Sequence, residues 1–283
     1  MSINDITVVI TSFKSGKVIE KCLNSINSSC KIIVVENSDN LDIKKNIEEK
    51  FTNVECHLTG KNLGYGKANN IGIEKVKTKY VLILNPDTIL HPMALENFLK
   101  ATKEDPSFAV IGPYIQEKDK ENENYKKSFG EKNLLSVENV KGFAMFLNIL
   151  EFKDIGFFDE NFFFYFEEID LCKRLKNLDK KIYLTPSIKI DHAGGKSHDK
   201  SINREMELSR NWHWMWSTFY YHKKHKGFYK SFLIALPKLV SALYKILFYT
   251  LIFNKEKKII YYYRYLGLFN AIIGKSSWYR PKV

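Results

Sequence analysis

The first 84 residues alternate short apolar runs with stretches of helical spacing, and this order restricts the fold more than any other feature of the chain. Runs of strong β-formers, which are typical of buried strands, lie at 6–10, 32–35, 54–58 and 80–84. Helical spacing lies between them, at 18–26, 43–51 and 68–76. Strands that alternate with helices form βαβ units, so we predict a Rossmann-like α/β fold whose mostly parallel central sheet is flanked by helices.

Polar clusters follow three of these strands at their carboxyl ends. They are Thr11-Ser12, Glu36-Asn37-Ser38 and Asn85-Pro86-Asp87. In open α/β sheets, ligands bind in the crevice outside the carboxyl ends of the strands. We therefore expect the three clusters to line one binding site, although each of them also fits an ordinary polar turn.

Charge divides the chain into two parts. Residues 1–195 carry 27 Lys and Arg against 28 Asp and Glu, whereas residues 196–283 carry 17 against 4. The formal charge of +12 therefore comes from the last third of the chain. We predict an α/β domain over 1–200 and a basic helical extension over 201–283.

The predicted extension places aromatic residues beside basic ones, with six Trp, Phe and Tyr and six His and Lys between 212 and 226. Its apolar stretch at 233–253 is interrupted by Pro237, Lys238 and Lys245, whereas a spanning helix needs about 20 apolar residues. This pattern favours helices that lie against an anionic membrane surface. Two alternatives stay open: helices that pack on the main domain with solvated charges, and a nucleic-acid-binding module.

The four cysteines form no CxxC pair and no regular spacing, which predicts reduced thiols rather than a zinc site or a disulfide framework. The amino terminus enters a strand-like run at once, without a charged segment followed by an apolar one. We therefore expect a protein on the cytoplasmic side that is attached peripherally to the inner face of the cell membrane.

Three carboxylates in four residues, Glu167, Glu168 and Asp170, directly follow the aromatic run Phe163-Phe164-Tyr165-Phe166. Carboxylates this close repel one another, and aromatic neighbours desolvate them, so at least one should have a raised pKa. A raised pKa lets a carboxylate take a proton from a hydroxyl near neutral pH. The same acids also suit a helix N-terminus, where the dipole favours negative charge.

Five motifs between residue 5 and about residue 200 occur in a fixed order: Thr11-Ser12, Val35-Glu36-Asn37-Ser38, the glycine-rich segment 62–72, Leu84-Asn85-Pro86-Asp87 and the acidic segment 167–174. In this order they resemble family 2 glycosyltransferases, and within that family the rhamnosyltransferase-like branch that builds bacterial surface polysaccharides. The resemblance implies a GT-A fold, a nucleotide-sugar donor, a divalent metal (Mg²⁺ or Mn²⁺) and inversion at the anomeric carbon. It also makes 1–115 the donor half and 116–200 the acceptor half.

The metal motif of this family often reads Asp-x-Asp, and the matching residues here are Asn85-Pro86-Asp87. The resemblance makes Asp87 a metal ligand and His192 a second ligand or a diphosphate contact. Mg²⁺ and Mn²⁺ prefer oxygen ligands and bridge diphosphate oxygens with few protein carboxylates. With one charge fewer than in Asp-x-Asp, weaker metal binding is expected before the donor arrives.

The resemblance also assigns the donor pocket. Glu36 would accept a hydrogen bond from N3–H of the base, and the glycine-rich segment would bring its backbone close to the ribose and diphosphate. Lys196 would add positive charge beside two glycines. The expected donor-binding residues are Thr11, Ser12, Glu36, Asn37, Asn62, Gly64, Asn69, Asn85 and Lys196.

The family aligns its general base with the second acid of the acidic segment, here Glu168. Asp170 and then Glu167 are the next candidates, and one of the two would position the acceptor or hold Arg174, which lies four residues after Asp170. The resemblance places the acceptor beside Gly142, Phe143 and Ala144, whose small residues would let a sugar approach closely. A buried strand explains the same three residues.

These expectations combine into an inverting, metal-dependent glycosyltransferase that moves a sugar, with dTDP-rhamnose as one candidate donor, onto a lipid-linked glycan. A UDP-hexose donor is the nearest alternative, because the base-contacting residues do not separate uracil from thymine. A nucleotidyltransferase would open with a glycine-rich phosphate loop, which residues 11–16 do not resemble. A non-catalytic relative would not need Asp87, Glu168 and His192. We expect no nucleic-acid partner, and the oligomeric state stays open.

Overall fold

A computed structural model of the chain describes residues 2–114, 133–194 and 200–281. The chain divides into an α/β unit, Met1–Phe158 with Glu168–Asp199, and a helical unit, Asp159–Glu167 with Lys200–Val283. From the sequence, residues 159–167 are expected to belong to the α/β domain. In the structure this segment belongs to the helical unit, because its aromatic rings pack there, for example Phe163 on His213 with centroids 4.5 Å apart.

Ten strands and five α-helices are described up to residue 194. The strands are β1 (Ile6–Ser12), β2 (Lys31–Glu36), β3 (Val54–Leu58), β4 (Tyr80–Leu84), β5 (Thr88–Leu90), β6 (Phe108–Pro113), β7 (Leu135–Ser136), β8 (Ala144–Asn148), β9 (Lys181–Thr185) and β10 (Ile190–His192). The helices are α1 (Gly16–Asn24), α2 (Leu41–Lys50), α3 (Tyr65–Ile73), α4 (Ala94–Glu104) and α5 (Glu167–Lys176).

Eight strands form one sheet in the order β3-β2-β1-β4-β8-β6-β9-β7, and β5 pairs with β10 in a small antiparallel sheet. The strands β3, β2, β1 and β4 are mutually parallel, whereas β8 runs antiparallel to both of its neighbours. The parallel half matches the predicted βαβ units. The carboxyl ends of β1, β2 and β4 therefore lie along one edge of the sheet, where ligands bind in such folds.

Every residue of β1 and of β4 is buried, because apolar clusters cover both faces of the sheet. Val8 and Ile10 belong to one cluster and Val9 to the other, as the two-residue period of a strand requires. Helix α3 packs especially close at Gly72, where an added Cβ would lie 2.5 Å from a Val9 methyl carbon. All four cysteine side chains are buried and none forms a disulfide.

The helical unit contains α6 (Asn203–Lys226), α7 (Phe228–Leu251) and α8 (Lys255–Ile272). Its apolar core comprises Trp212, Met215, Trp216, Phe219, Ala235, Leu268, Ala271 and Tyr279. Helix α7 runs through Pro237, and it is the one helix among the described residues that is long and apolar enough to cross a membrane by length and composition. Only 17% of its apolar window is buried, so most of that surface is open.

Candidate active site

A buried carboxylate lies where β1 and β2 end side by side. Glu36 is fully buried and accepts hydrogen bonds from the Ser12 hydroxyl, from the Ser38 hydroxyl at 2.6 Å and from the Lys14 N–H at 3.3 Å. A carboxylate has about four acceptor positions, and these three donors leave one of them. The structure thus brings Ser12 and Glu36 together, while a direct contact of Glu36 with a base stays a prediction.

Asn37 joins the end of β2 to the glycine-rich segment. Its side-chain nitrogen donates to Asn62 Oδ1 and to the Gly64 carbonyl, both at 3.1 Å, and its oxygen accepts from the Leu63 N–H at 2.8 Å. Gly64 caps α3 with φ +89°, a conformation that favours glycine. The segment is therefore fixed as a tight loop at the same strand ends as Glu36.

Two buried oxygens at this end of the unit make no hydrogen bond within the described residues. They are Thr11 Oγ1 at the end of β1 and Asn69 Oδ1 in α3, whose nitrogen donates to the Tyr65 carbonyl at 3.0 Å. Buried polar atoms are nearly always paired, and the exceptions often mark sites where a ligand or water binds. Both residues belong to the donor set expected from the sequence.

Asp87 and His192 meet beyond the carboxyl end of β4. Asp87 directly precedes β5, and the pairing of β5 with β10 sets His192 opposite Thr88. The Ala193 N–H donates to the Asp87 carbonyl at 3.1 Å, and His192 Nε2 lies 3.4 Å from Asp87 Oδ1. The His192 ring stacks on Phe143 with centroids 4.6 Å apart, which fixes its orientation.

These two side chains fit a divalent cation that also binds a ligand. A carboxylate oxygen and an imidazole nitrogen are both ligand types of Mn²⁺, and Mg²⁺ sites commonly use one or two carboxylates with substrate phosphates and water. Within the described residues no group of three His, Cys, Asp or Glu is placed to hold a metal. The remaining ligands would therefore have to come from a diphosphate and water.

Glu168, in the first turn of α5, has its pKa raised by burial, against the opposing effects of the backbone N–H groups of Glu168 and Ile169 and of the Lys141 charge. The direction agrees with the one expected for an acid of this segment, and its cause is burial rather than repulsion from Glu167 or Asp170. A Cβ added at Gly142 would lie 3.5 Å from the Glu168 carboxyl carbon. The absence of a side chain at Gly142 thus leaves space beside the carboxyl group.

Asp170 is fully buried and forms an ion pair with Arg174, whose Nε lies 2.9 Å from its carboxylate. Arg174 also donates to the carbonyls of Ile155, at 2.8 Å, and Phe157. Arg174 thereby links the chain before the aromatic run to α5, and Asp170 holds its guanidinium in place. Its carboxylate is engaged in structure, which makes it a weaker candidate for proton transfer than Glu168. Glu167 is also buried, and it is grouped with the helical unit.

The expected acceptor residues Gly142, Phe143 and Ala144 lie beside the end of β4. Ala144 pairs with Leu84 across β4 and β8, and the Asn85 N–H donates to the Phe143 carbonyl at 2.9 Å. Tyr65, which the sequence analysis did not single out, donates its hydroxyl to the Gly142 carbonyl. Its position inside the glycine-rich segment was the only signal. Lys196 lies outside the described residues.

Residues 7–172 match the model of Glycosyl transferase family 2, which is more than half of the chain. The chain belongs to glycosyl transferase family 2.

Several curated relatives are similar in sequence, and three of them are described here. The hexosyltransferase Agl10 of low-salt glycan biosynthesis from Haloferax volcanii is 26% identical over 196 residues, which cover 62% of each chain and thus under two thirds of Agl10. Rhamnosyltransferase WbbL from Escherichia coli (strain K12) is 26% identical over 76% of this chain and 91% of its own. The N-acetylglucosaminyl-diphospho-decaprenol L-rhamnosyltransferase of Mycobacterium tuberculosis is 22% identical over 65% of this chain and 75% of its own.

The solved structure of mannosyltransferase PcManGT from Pyrobaculum calidifontis, in complex with GDP-Man and Mn²⁺, is similar with a TM-score of 0.57. The two structures superpose over 95% of this chain and 87% of PcManGT. Because the sequences are only 12% identical, the similarity concerns the fold alone. It supports the expected GT-A architecture.

Proposed function

We propose that this glycosyltransferase moves a sugar, with L-rhamnose from dTDP-rhamnose as the leading candidate, onto a hydroxyl of a lipid-linked glycan with inversion. The observation that carries the proposal is the approach of His192 Nε2 to 3.4 Å from Asp87 at the strand ends. Two of the three relatives are named rhamnosyltransferases, which favours the rhamnosyl donor. The decaprenol relative favours a lipid-linked acceptor.

The nucleotide would bind at the ends of β1 and β2. Thr11 Oγ1 and Asn69 Oδ1 are buried acceptors that make no other hydrogen bond in the described parts of the chain, so a nucleotide can supply their partners. Glu36 would accept from N3–H of the base at its remaining position. Because uracil and thymine share that N3–H, these contacts do not choose between dTDP and UDP.

Asp87 and His192 would hold a divalent cation against the diphosphate. A bound cation supplies Lewis-acid stabilisation of the negative charge that develops on the leaving diphosphate. Stacking on Phe143 keeps the imidazole of His192 directed at Asp87, so the ligand pair needs little rearrangement.

Glu168 would act as general base. It takes the proton from the acceptor hydroxyl while that oxygen bonds to the anomeric carbon and the bond to the diphosphate oxygen breaks, which inverts the configuration. Its raised pKa makes the carboxylate a stronger base than an exposed Glu. The bare backbone at Gly142 would give the acceptor room beside the carboxylate.

The helical unit would attach the enzyme to the cytoplasmic membrane face. Exposed apolar side chains recur every three or four residues along α7: Tyr229, Leu233, Leu236, Val240, Leu243, Leu247 and Leu251. Small residues face the interior instead, namely Ser231, Ala235 and Ala242. One apolar stripe with Lys230, Lys238 and Lys245 on the same helix suits a helix that lies within the headgroup zone of anionic lipid.

The test is turnover with dTDP-rhamnose and N-acetylglucosaminyl-diphospho-polyprenol in vesicles, followed by mass spectrometry of the acceptor. A rhamnosylated product, absent with Glu168→Gln, is the expected result. Transfer from a UDP-hexose alone would support the second candidate, a hexosyltransferase, which the similarity to Agl10 favours. No transfer from any nucleotide sugar would contradict the proposal.

A further inference from the structure

The helical unit contains a cavity of about 230 Å³ between its three helices. Its walls include Met215 of α6, Lys238, Ser241 and Lys245 of α7, and Tyr261 and Arg264 of α8. A water molecule occupies about 30 Å³ in the liquid, so the cavity has room for a group of several heavy atoms. The walls combine apolar surface, to which Met215, Pro237 and Ala242 contribute, with the cationic side chains of Lys238, Lys245 and Arg264.

Three cationic side chains line this cavity, those of Lys238, Lys245 and Arg264. Lys245 Nζ lies 4.7 Å from the centroid of the Tyr261 ring, and the Arg264 guanidinium carbon lies 5.7 Å from the same centroid. Lys238 is seven residues before Lys245, so both lysines lie on one face of α7. Lys245 and Arg264 are partly buried, which makes their mutual repulsion less screened than it would be at an open surface.

Carboxylates that could balance this charge are scarce. Glu256 is the only Asp or Glu after residue 207. Within the described parts of the chain, neither Lys238, Lys245 nor Arg264 forms an ion pair. The Tyr261 ring offers these side chains only cation–π contacts, which do not neutralise their charge. Three cations around one cavity without a carboxylate form an arrangement that a bound anion would stabilise.

We infer that this cavity binds a phosphate group carried by a lipid. Arg264 can contact two phosphate oxygens with its planar guanidinium, Lys245 adds a point charge, and Ser241 supplies a hydroxyl donor. The exposed apolar stripe of α7 includes Val240, Leu243 and Leu247, which lie at the same level of the helix as Lys245. The acyl or prenyl chain of the lipid would pack against these three side chains. Basic pockets between helices at a membrane bind lipid headgroups in this way.

Two lipids offer this chemistry: an acidic phospholipid and the diphosphate-linked acceptor itself. The second source rests on the proposed function, whereas the first does not. The site would hold the helical unit at the membrane through one defined headgroup, in addition to the apolar stripe.

The test compares binding of the full chain to three kinds of vesicle by flotation. They are phosphatidylcholine alone, phosphatidylcholine with phosphatidylglycerol, and phosphatidylcholine with a polyprenyl diphosphate at the same total negative charge. The pocket variant is Lys245→Gln with Arg264→Gln. The matched control is Lys255→Gln with Lys258→Gln, which removes the same charge from exposed positions at the start of α8.

We expect the pocket variant to lose at least about tenfold more affinity than the control for one of the two anionic vesicles, equivalent to about 1.4 kcal/mol. A selective loss with polyprenyl diphosphate identifies the acceptor as the ligand, and a loss with phosphatidylglycerol identifies a phospholipid. Lys245→Arg, which keeps the charge, should retain binding, and thermal unfolding checks that all variants fold. Equal losses in both double variants would overturn the inference. Binding needs no donor, so its result is independent of whether transfer occurs.

Discussion

His192 Nε2 lies 3.4 Å from a carboxylate oxygen of Asp87, although the two residues come from separate strand ends. The contact exists because the short strands β5 and β10 pair beyond the edge of the main sheet. Phe143, the third member of the arrangement, stacks on the imidazole. The proposed metal site is therefore a product of the tertiary fold rather than of one local motif.

Replacing Asp87 by Asn or His192 by Ala should remove the dependence of nucleotide binding on Mn²⁺. Each change deletes one of two proposed ligands, so we expect a fall of at least about tenfold in dTDP affinity with Mn²⁺ and little change without it. Titration calorimetry measures both.

The matched control is Asp191→Asn. Asp191 neighbours His192 in β10, but its exposed carboxylate pairs with His91 at 3.0 Å. Asp191→Asn should leave the tightening of dTDP binding by Mn²⁺ unchanged. If Asp191→Asn and Asp87→Asn lowered dTDP affinity equally in the presence of Mn²⁺, Asp87 would act through its negative charge alone and not as a metal ligand.

Glu168→Gln should lower kcat by about 10²–10⁴-fold, the usual contribution of a general base, while nucleotide affinity stays unchanged. Steady-state turnover and calorimetry separate the two quantities. Glu138→Gln is the control, because Glu138 is an exposed carboxylate of the same unit that pairs with Lys176 at 3.6 Å.

The pH dependence of kcat/KM provides a second test of Glu168. Burial raises the pKa of Glu168, and only the deprotonated form can accept a proton, so kcat/KM should rise with pH through a limb above the ordinary Glu range. The residual rate of Glu168→Gln should lack this limb. An unchanged limb in the variant would assign the titration to another group.

The sequence predicted the local elements better than their pairing. The bounds of β3 and β4 agree with the predicted strands, because strong β-formers there are bordered by polar turns. Helix α3 begins at Tyr65, three residues earlier than expected, because Gly64 and Asn62 build its start. The strands β5 and β10 have three residues each and are stabilised by a distant partner, which no local pattern reveals.

For the candidate site, the sequence indicated residues with recognisable chemistry but not the residues that pack against them. Motif resemblance pointed to Asp87 and His192, which the structure brings within 3.4 Å of each other. It also pointed to Glu168 and the donor residues, and the roles of all of them stay predictions. Packing partners such as Tyr65 were missed. His213 was grouped with the basic residues of the extension, yet the structure buries it completely. Helical spacing alone did not reveal its polar partners, which come from residues 277–279, far along the chain.

His213 should make the helical unit sensitive to acid. Its Nε2 donates to the Tyr279 carbonyl at 2.9 Å, so Nδ1 can accept from the Ser277 hydroxyl at 3.0 Å, and burial lowers its pKa to about 3. Between pH 6.5 and 3 the unfolded chain binds a proton that the folded chain does not. Stability from this group is thus complete above pH 6.5 and falls as the pH falls.

Between pH 7 and pH 5 the free energy of unfolding should drop by about 2 kcal/mol more in the wild type than in His213→Gln. Urea unfolding followed by tryptophan fluorescence reports this, since all four tryptophans lie in the helical unit. His91→Gln, in the α/β unit, should leave the pH slope of that signal unchanged. Identical slopes for wild type and His213→Gln would refute the assignment.

Charges placed in the exposed stripe of α7 should prevent membrane attachment. Leu236→Glu with Leu243→Glu should reduce flotation with phosphatidylglycerol vesicles by at least about 100-fold, since each leucine loses about 1.5 kcal/mol or more of burial. The control is Leu41→Glu with Leu178→Glu, two exposed leucines of the α/β unit. Comparable losses in the control would show that attachment does not depend on α7.

The most direct test of the central claim is calorimetric titration of the wild-type protein with dTDP and with UDP, each with and without Mn²⁺. We expect binding that tightens at least about tenfold with Mn²⁺ and that favours dTDP. A preference for UDP would keep the mechanism and change the donor. No binding of either nucleotide to the folded protein, with or without Mn²⁺, would contradict the proposed nucleotide-sugar site.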